Sequence, residues 1–367
     1  AELAPLLRCG GVPVERVTIM LRTLHPRIAA QAYIWRGPEE GVKVYEAGHA
    51  MLSNDAFLNS PIQRIYQGWP GVRRRLADRS CPRDFPILAD LDEAGMTDYL
   101  ALPLPFSDGA RYTVSFATRA KGGFTDAQLQ RLSALAPTLA LVVEVFSVRG
   151  ISRNLMHTYL GRKTGERVLN GAIQRGSIEG MEAAIWYSDL RDFTALADRL
   201  PAAELLELLN DHFEHVVSAV HDQGGEVLKF MGDGTLAIFP IADFADAEAA
   251  CCAAICAAGA ALKRTEGHNN ERNQNGQPTI EFGIALHLGW VDYGNVGAPD
   301  RLDFTVIGPA VNRAARIAGE CRRLIKPVLT SAAFADAVPR RLAEIGTHRL
   351  KGVAEPQALH TLPEFAS

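Results

Sequence analysis

The chain of 367 residues lacks the marks of several large protein classes. Its six cysteines form no CxxC pair and no Cys/His spacing of the kind a zinc site uses, which excludes a disulfide scaffold and a zinc module. No G-x-G-x-x-G and no G-x-x-x-x-G-K-[ST] occurs, so the Rossmann and P-loop readings lack their phosphate cradle. No segment reads as a signal peptide. The longest apolar run, "LAPTLALVVEVFSV" (Leu135–Val148), is short for a membrane span and carries both Pro137 and Glu144. The formal charge is only −4, and the one basic run, Arg73-Arg74-Arg75, reads as a solvated helix face, so no nucleic-acid partner is expected. Unpaired cysteines suit a reducing compartment, and a cytoplasmic protein without a membrane span is the expectation.

What is present suffices for two or three domains with substantial cores. Residues 1–148 mix short strand-like runs ("QAYIWR", "YLALPLPF", "RYTVSFAT") with helices, and Ser107–Gly109 reads as a hairpin turn. Thr125 and Gln128 form a capping box before Leu129, Leu132, Leu135 and Leu139, which recur at helical spacing; Pro137 is expected to kink that helix. Residues 149–180 read as a connecting helix broken near Gly171. From residue 181 to 367 the pattern sharpens. "MEAAIWYSDL" is a strand, and the next segment is an amphipathic helix with Leu205, Leu209, Phe213, Val216 and Val220 on one face. A hairpin over Glu226 to Phe239 follows, then an alanine-rich helix in which Cys251, Cys252 and Cys256 act as small apolar residues. The polar "TEGHNNERNQNGQP" reads as a loop; "TIEFGIALHLG" and "LDFTVIG" are strands, and "PAVNRAARIAGEC" is a helix. The order βαββα with further elements predicts an α/β (α+β) sandwich on a mixed or antiparallel sheet.

The hairpin "KFMGDGTLAIFP" sets Lys229 and Asp233 four residues apart around Gly232-Asp233-Gly234. By itself an Asp-Gly turn is ordinary structure. A second carboxylate, Asp189 in "YSDLRDFT", closes a strand just before a helix starts. Two such carboxylates side by side would bridge two Mg²⁺ ions, the arrangement that in-line phosphoryl transfer requires, and the helix start beyond Asp189 offers an anion site. Asn312 and Arg316 lie one turn apart on a helix, an amide and a guanidinium that suit ribose and phosphate, although such a pair is commonly just solvated.

Together "YSDLRDFT", "VLKFMGDGTLAIF", "GIALHLGWVDYGNVG", "FTVIGPAVNRAARI" and "HRLKGVAEPQALHTL" resemble the class III nucleotide cyclase catalytic domain, over nearly all of residues 181–362 and in family order. The resemblance implies that Asp189 and Asp233 bind two Mg²⁺ ions, with Mn²⁺ as substitute. It implies that Lys229 and Thr305 read the purine, that Asn312 positions the ribose, that Arg316 stabilises the transition state, and that Lys351 binds the triphosphate. A Lys/Thr pair at the base-reading positions is typical of the adenylate-forming IIIb branch, whose bicarbonate sensitivity is a further implication. ATP would be the substrate, cyclic AMP and pyrophosphate the products, and a head-to-tail homodimer the active form, with each site shared between two copies. The segment "ALPLPFSDG…SFAT…GGFTDAQLQRLSALAP" resembles a GAF- or PAS-like sensory domain, which implies an effector, small molecule or protein, acting through residues 149–180.

Two positions depart from the family pattern. Asp192 stands where glycine is common and adds negative charge near the phosphates; Pro309 replaces a position that is often acidic. The competing readings are a guanylate cyclase and an inactive nucleotide-binding dimerisation module. A diguanylate cyclase would need a GG[DE]EF-type turn, which "MGDGTLAIF" does not supply.

Overall fold

The structure, a computed structural model, describes residues 2–366. It divides into two compact units, one running to Thr158 and one starting at Tyr159. The first unit is α+β. Its antiparallel sheet comprises β1 (Arg16–Arg22), β2 (Ala30–Trp35), β3 (Val42–Ala47), β4 (Val72–Arg74), β5 (Asp98–Pro105) and β6 (Arg111–Thr118), in the order β3-β2-β1-β6-β5-β4. Strands β2, β5 and β6 lie where the sequence places them. The others were hidden for different reasons: β1 has apolar residues on both faces, and β3 is an edge strand exposed along most of its length.

The basic run is a correction. Arg73 and Arg74 belong to β4, not to a solvated helix, and each is paired. Arg73 meets the fully buried Asp98 at 2.7 Å, and Asp98 also accepts from the Phe124 N–H at 3.0 Å; Arg74 pairs with Asp84. A buried carboxylate without such partners would be strongly unfavourable, so the run anchors β4 and the loop after β6 to β5.

The capping box forms as expected. Thr125 N–H donates to Gln128 Oε1 at 2.9 Å, and Gln128 N–H to Thr125 Oγ1 at 3.3 Å. The helix it starts runs from Asp126 to Leu160 and contains Pro137. Leu132, Ala136, Leu139, Ala140 and Val143 are buried, while Leu141, Val142, Val145, Phe146 and Val148 are exposed. It is the one helix among the described residues long and apolar enough to cross a membrane, by length and composition alone. The expected connector is not a separate helix at residue 149: the same helix continues through it. The first break falls at Gly161 (φ 83°), followed by a helix over Arg162–Leu169 that ends just before Gly171.

The second unit carries β7 (Ile178–Leu190), β8 (Glu226–Met231), β9 (Gly234–Pro240), β10 (Phe282–Ala298), β11 (Arg301–Ile307), β12 (Val328–Ser331), β13 (Ala343–His348) and β14 (Gln357–Thr361). Their order is β13-β14-β12-β10-β7-β9-β8, with β11 paired to β10; β10 and β12 run parallel and the other pairs antiparallel. The sheet is mixed, as expected. β7 is buried on both faces, which explains why it reads as an unbroken apolar run. Ala184 and Trp186 pack with the helices Ala202–Asp222 and Ala247–Gln274, while Ala183 and Ile185 pack with β11 and the helix Pro309–Arg323. In Ala247–Gln274 the small residues Ala250, Cys251, Ala254, Ala257, Ala258 and Ala261 are all buried, so the helix lies close against its neighbours. Cys256 is exposed, unlike Cys251.

Two expectations fail here. The buried stripe of Ala202–Asp222 is Leu208, His212, Val216, Ala219 and Val220, rotated from the expected face because His212 packs edge-on against Phe282. The stretch "TEGHNNERNQNGQP" is not a loop, since the helix continues to Gln274. Two of the polar residues that suggested a loop have defined partners beyond the helix. Asn269 exchanges two hydrogen bonds with the Ile280 backbone, at 2.8 Å each. Arg272, only 3% exposed, donates to the Pro278 carbonyl at 2.7 Å and to Asp211 at 3.0 Å. Arg272→Ala is therefore expected to lower stability by about 2–4 kcal/mol in chemical denaturation, because it strands a carboxylate and a carbonyl together.

Candidate active site

β9 pairs with β7 in a register that sets Thr235 against Ser188. The residues just beyond this pair are Asp189, at the end of β7, and the two-residue loop Gly232-Asp233 between β8 and β9. Gly232 is left-handed (φ 67°) at the first loop position, as a hairpin of this length favours. Gly234 is glycine for a different reason: a Cβ there would stand 3.1 Å from the Ser188 carbonyl and 3.3 Å from Asp189 Oδ1. The tight tip brings the two carboxylates together. Partial burial, a hydrogen bond with Asp233 and the Asp233 charge push Asp189 up to about 7. The Tyr187 phenol is raised as well, by burial and then by both carboxylates. Two apposed carboxylates holding a proton offer hard oxygen donors of the kind that suits Mg²⁺ or Mn²⁺, and a dication there would displace the proton.

A second group forms on β8 and β11. The β8 register shifts between Val227 and Lys229, a bulge that re-aims the lysine. Lys229 Nζ donates to Asp303 Oδ2 at 2.9 Å. Asp303 is two residues before Thr305, on the same face of β11. Thr305 is 4% exposed and its hydroxyl has no hydrogen-bond partner among the described residues. Asn312 and Arg316 are both exposed, one turn apart on Pro309–Arg323. Lys351 is exposed in the β13–β14 connection beside the buried Leu350, and among the described residues no hydrogen bond or ion pair ties it to either group. Asp192 takes a left-handed conformation (φ 56°), which accounts for glycine being common there; asparagine and aspartate tolerate it best after glycine. Its carboxylate pairs with Arg322, so its charge is not left open toward a phosphate.

Residues 178–324 match the family described as the adenylate and guanylate cyclase catalytic domain. This stretch is a class III cyclase domain. Over 147 residues the chain is 33% identical to an adenylate cyclase of Anabaena cylindrica, a match covering 40% of this chain and 29% of that protein. Over 225 residues it is 29% identical to adenylate cyclase 1 of Rhizobium meliloti, covering 58% of this chain and 33% of that one. The matches thus span about a third of the length of these relatives. The fold is similar to that of a bacterial light-regulated adenylyl cyclase, with a TM-score of 0.51 at 19% identity over 72% of this chain and 86% of that one.

Sequence reasoning missed two residues that shape the cyclase domain. One is Asp303, whose i, i+2 spacing from Thr305 on a strand was the available signal. The other is Glu226, which is buried at the start of β8. Glu226 Oε1 accepts from the Thr164 N–H at 2.9 Å and from Thr164 Oγ1 at 3.1 Å, and Tyr293 Oη stands 3.4 Å away. It thereby caps the helix Arg162–Leu169 from a distant strand. Burial raises its pKa, opposed by the Thr164 bonds. A Cβ at Gly161 would lie 3.1 Å from the Val227 carbonyl, so helix and hairpin also meet backbone to side.

The raised Asp189 value has a measurable consequence. Its pKa is about 7 folded and about 3.9 in an unfolded chain. The folded state holds this proton more tightly, so the pair lowers stability as pH climbs from about 4 through about 7. Asp233→Asn is expected to raise the melting temperature of metal-free protein by about 2–4 °C near pH 8, with the gain vanishing toward pH 4. Thermal unfolding in chelator at both pH values checks this, and saturating Mn²⁺ should stabilise the parent protein but not the variant.

Proposed function

We propose that the chain is an adenylate cyclase that converts ATP to 3′,5′-cyclic AMP and pyrophosphate. The observation that carries this reading is the apposition of Asp189 and Asp233 at the hairpin tip. The names of the relatives from Anabaena cylindrica and Rhizobium meliloti point the same way. So does the base-reading pair: Lys229 can donate to the unprotonated ring nitrogen of adenine, and the unpartnered Thr305 hydroxyl can accept from its exocyclic amine.

The ATP 3′-oxygen attacks the α-phosphorus in line while the bond to the β-bridging oxygen breaks. The hydroxyl proton passes to water, to Asp189 or to a phosphate oxygen. Two divalent cations, Mg²⁺ or Mn²⁺, held by Asp189 and Asp233 would lower the charge on the phosphates and activate the attacking oxygen. The side chains do the rest: Asn312 holds the ribose, Arg316 meets the charge developing at the α-phosphate, and Lys351 neutralises the β- and γ-phosphates that leave as pyrophosphate. In the proposed head-to-tail homodimer, the aspartates of one copy complete a site with Lys229, Thr305, Asn312 and Arg316 of the other. The first unit, with its single antiparallel sheet, is proposed as a GAF- or PAS-like sensor. Cavities of about 480 and 300 Å³ within it offer room for a small effector. Six free cysteines fit a cytoplasmic setting.

The test is product formation with ATP and, separately, GTP. Cyclic AMP with GTP much poorer is expected; cyclic GMP as main product would overturn the base reading, and no product from either would overturn the enzyme reading. Asp233→Ala and Arg316→Ala should each be inactive alone. Mixed and re-associated, they should recover about a quarter of parental activity, because half the dimers then hold one intact site of two. No recovery would remove the shared-site arrangement.

A further inference from the structure

We infer that the first unit binds a small apolar α-amino acid in a cavity on one face of its sheet, where Arg16 holds the carboxylate and Asp90 the ammonium. The inference deepens the effector role proposed for this unit by naming the chemical class of the effector.

Three observations lead there. The first is the cavity, which lies between the sheet, the short helical segments within residues 49–66 and the helix Ile87–Glu93. It measures about 300 Å³, at the small end for ligand sites, and Met20, Met51, Phe57, Ile62 and Leu91 make its wall largely apolar. The second is the pair of charges at its border. Arg16 and Asp90 line this cavity and also the polar groove of about 840 Å³ beside it, so both stand where the two spaces meet. Neither is neutralised by contact. Arg16 Nε donates one long bond, 3.4 Å to Thr18 Oγ1, and Arg16 makes no ion pair among the described residues. The Asp90 carboxylate has no hydrogen bond or ion pair among them, and it acts on Arg16 only through its field. Burial and then the charge of Arg36 lower the Arg16 pKa, while Tyr99 and Asp90 oppose them. A half-buried guanidinium in that state favours an anion that supplies its missing partner.

The third observation is a contrast. The cavity on the opposite face of the sheet is lined by Val17, Ile19 and Leu21, which alternate along β1 with Arg16, Thr18 and Met20. Its one charged lining residue is Arg22, whose guanidinium already lies over the Tyr66 ring, 5.5 Å from the centroid. Only the smaller cavity joins an apolar interior to two unmet charges of opposite sign.

That combination selects a chemical class. The guanidinium fork matches a carboxylate, and Asp90 can accept from an ammonium. An α-amino acid carries both groups on one carbon, so its head meets both residues while its side chain enters the cavity. A plain carboxylic acid would satisfy Arg16 but set its charge against Asp90, and a plain amine would do the reverse. The two methionines adapt their shape, so branched and unbranched side chains both fit. Met51, Phe57 and Ile62 stand on helical segments too short to persist without packing. A bound side chain therefore ties this cover to β1.

The experiment is isothermal titration calorimetry on the full chain with L-leucine, L-methionine and L-phenylalanine. Isocaproate, which lacks the ammonium of leucine, and isoamylamine, which lacks its carboxylate, are titrated beside them. At least one of the three amino acids is expected to bind with a Kd of about 10–100 µM. Isocaproate and isoamylamine should each bind about tenfold or more weakly than leucine. Arg16→Gln and Asp90→Asn should each weaken the amino acid about tenfold, with the melting temperature of the ligand-free protein unchanged. Arg16→Lys, which keeps the charge without the fork, should fall between. No heat from any of the three amino acids at millimolar concentration would overturn the inference. So would isocaproate or isoamylamine binding as tightly as leucine, or undiminished affinity in both Arg16→Gln and Asp90→Asn. Calorimetry reads binding without turnover, so these outcomes stand apart from whether the chain makes cyclic AMP. Binding with no change in product formation would keep the site and remove its effector role.

Discussion

Two carboxylates held against their own repulsion are the constraint on which the second unit turns. Asp189 and Asp233 would separate if their backbones could. They cannot, because β7 is clamped in the middle of a sheet buried on both faces, and β9 is paired to it as far as Thr235. Gly232 and Gly234 remove the two obstacles to closeness, one by its left-handed backbone and the other by having no side chain toward Ser188. Local strain at a reactive site is sustained by burial elsewhere. Here the strain is electrostatic, and a dication would relieve it.

The β8–β9 hairpin carries more than the tip proposed to bind metal. Going along β8 from its buried start, Glu226 caps the helix Arg162–Leu169 of the same unit, the bulge follows, and Lys229 reaches Asp303. Asp233 stands in the loop beyond. A shift of the hairpin along β7 would therefore move the proposed base-reading lysine and the carboxylate together.

Much of this was legible in the amino-acid sequence because chemistry and geometry coincided there. "AAIW" reads as a buried strand whatever surrounds it, and Gly-Asp-Gly between β-prone runs reads as a hairpin. The capping box before Gln128 announced its helix. Three of the failures share one cause, which is polar residues with partners distant in sequence. Arg272 looked like loop because Asp211 and Pro278 cannot be seen as its partners from the helix alone. Arg73 looked like solvated surface because its partner, Asp98, lies on β5. Glu226 looked like an ordinary strand residue until Thr164 was placed beside it. Of the site residues, Asp189 and Asp233 lie together at the hairpin tip, while Lys351 has no such contact to place it.

The Thr164–Glu226 contact also fixes how this part of the molecule comes apart. The helix Arg162–Leu169 is too short to persist without support, and its first turn takes that support from a strand residue. The two segments therefore form one cooperative opening unit, in which the Thr164 amide exchanges with solvent only when the start of β8 lets go. Whatever loosens that helix loosens the strand leading to Lys229, and nucleotide bound at Lys229 would in turn keep the helix wound.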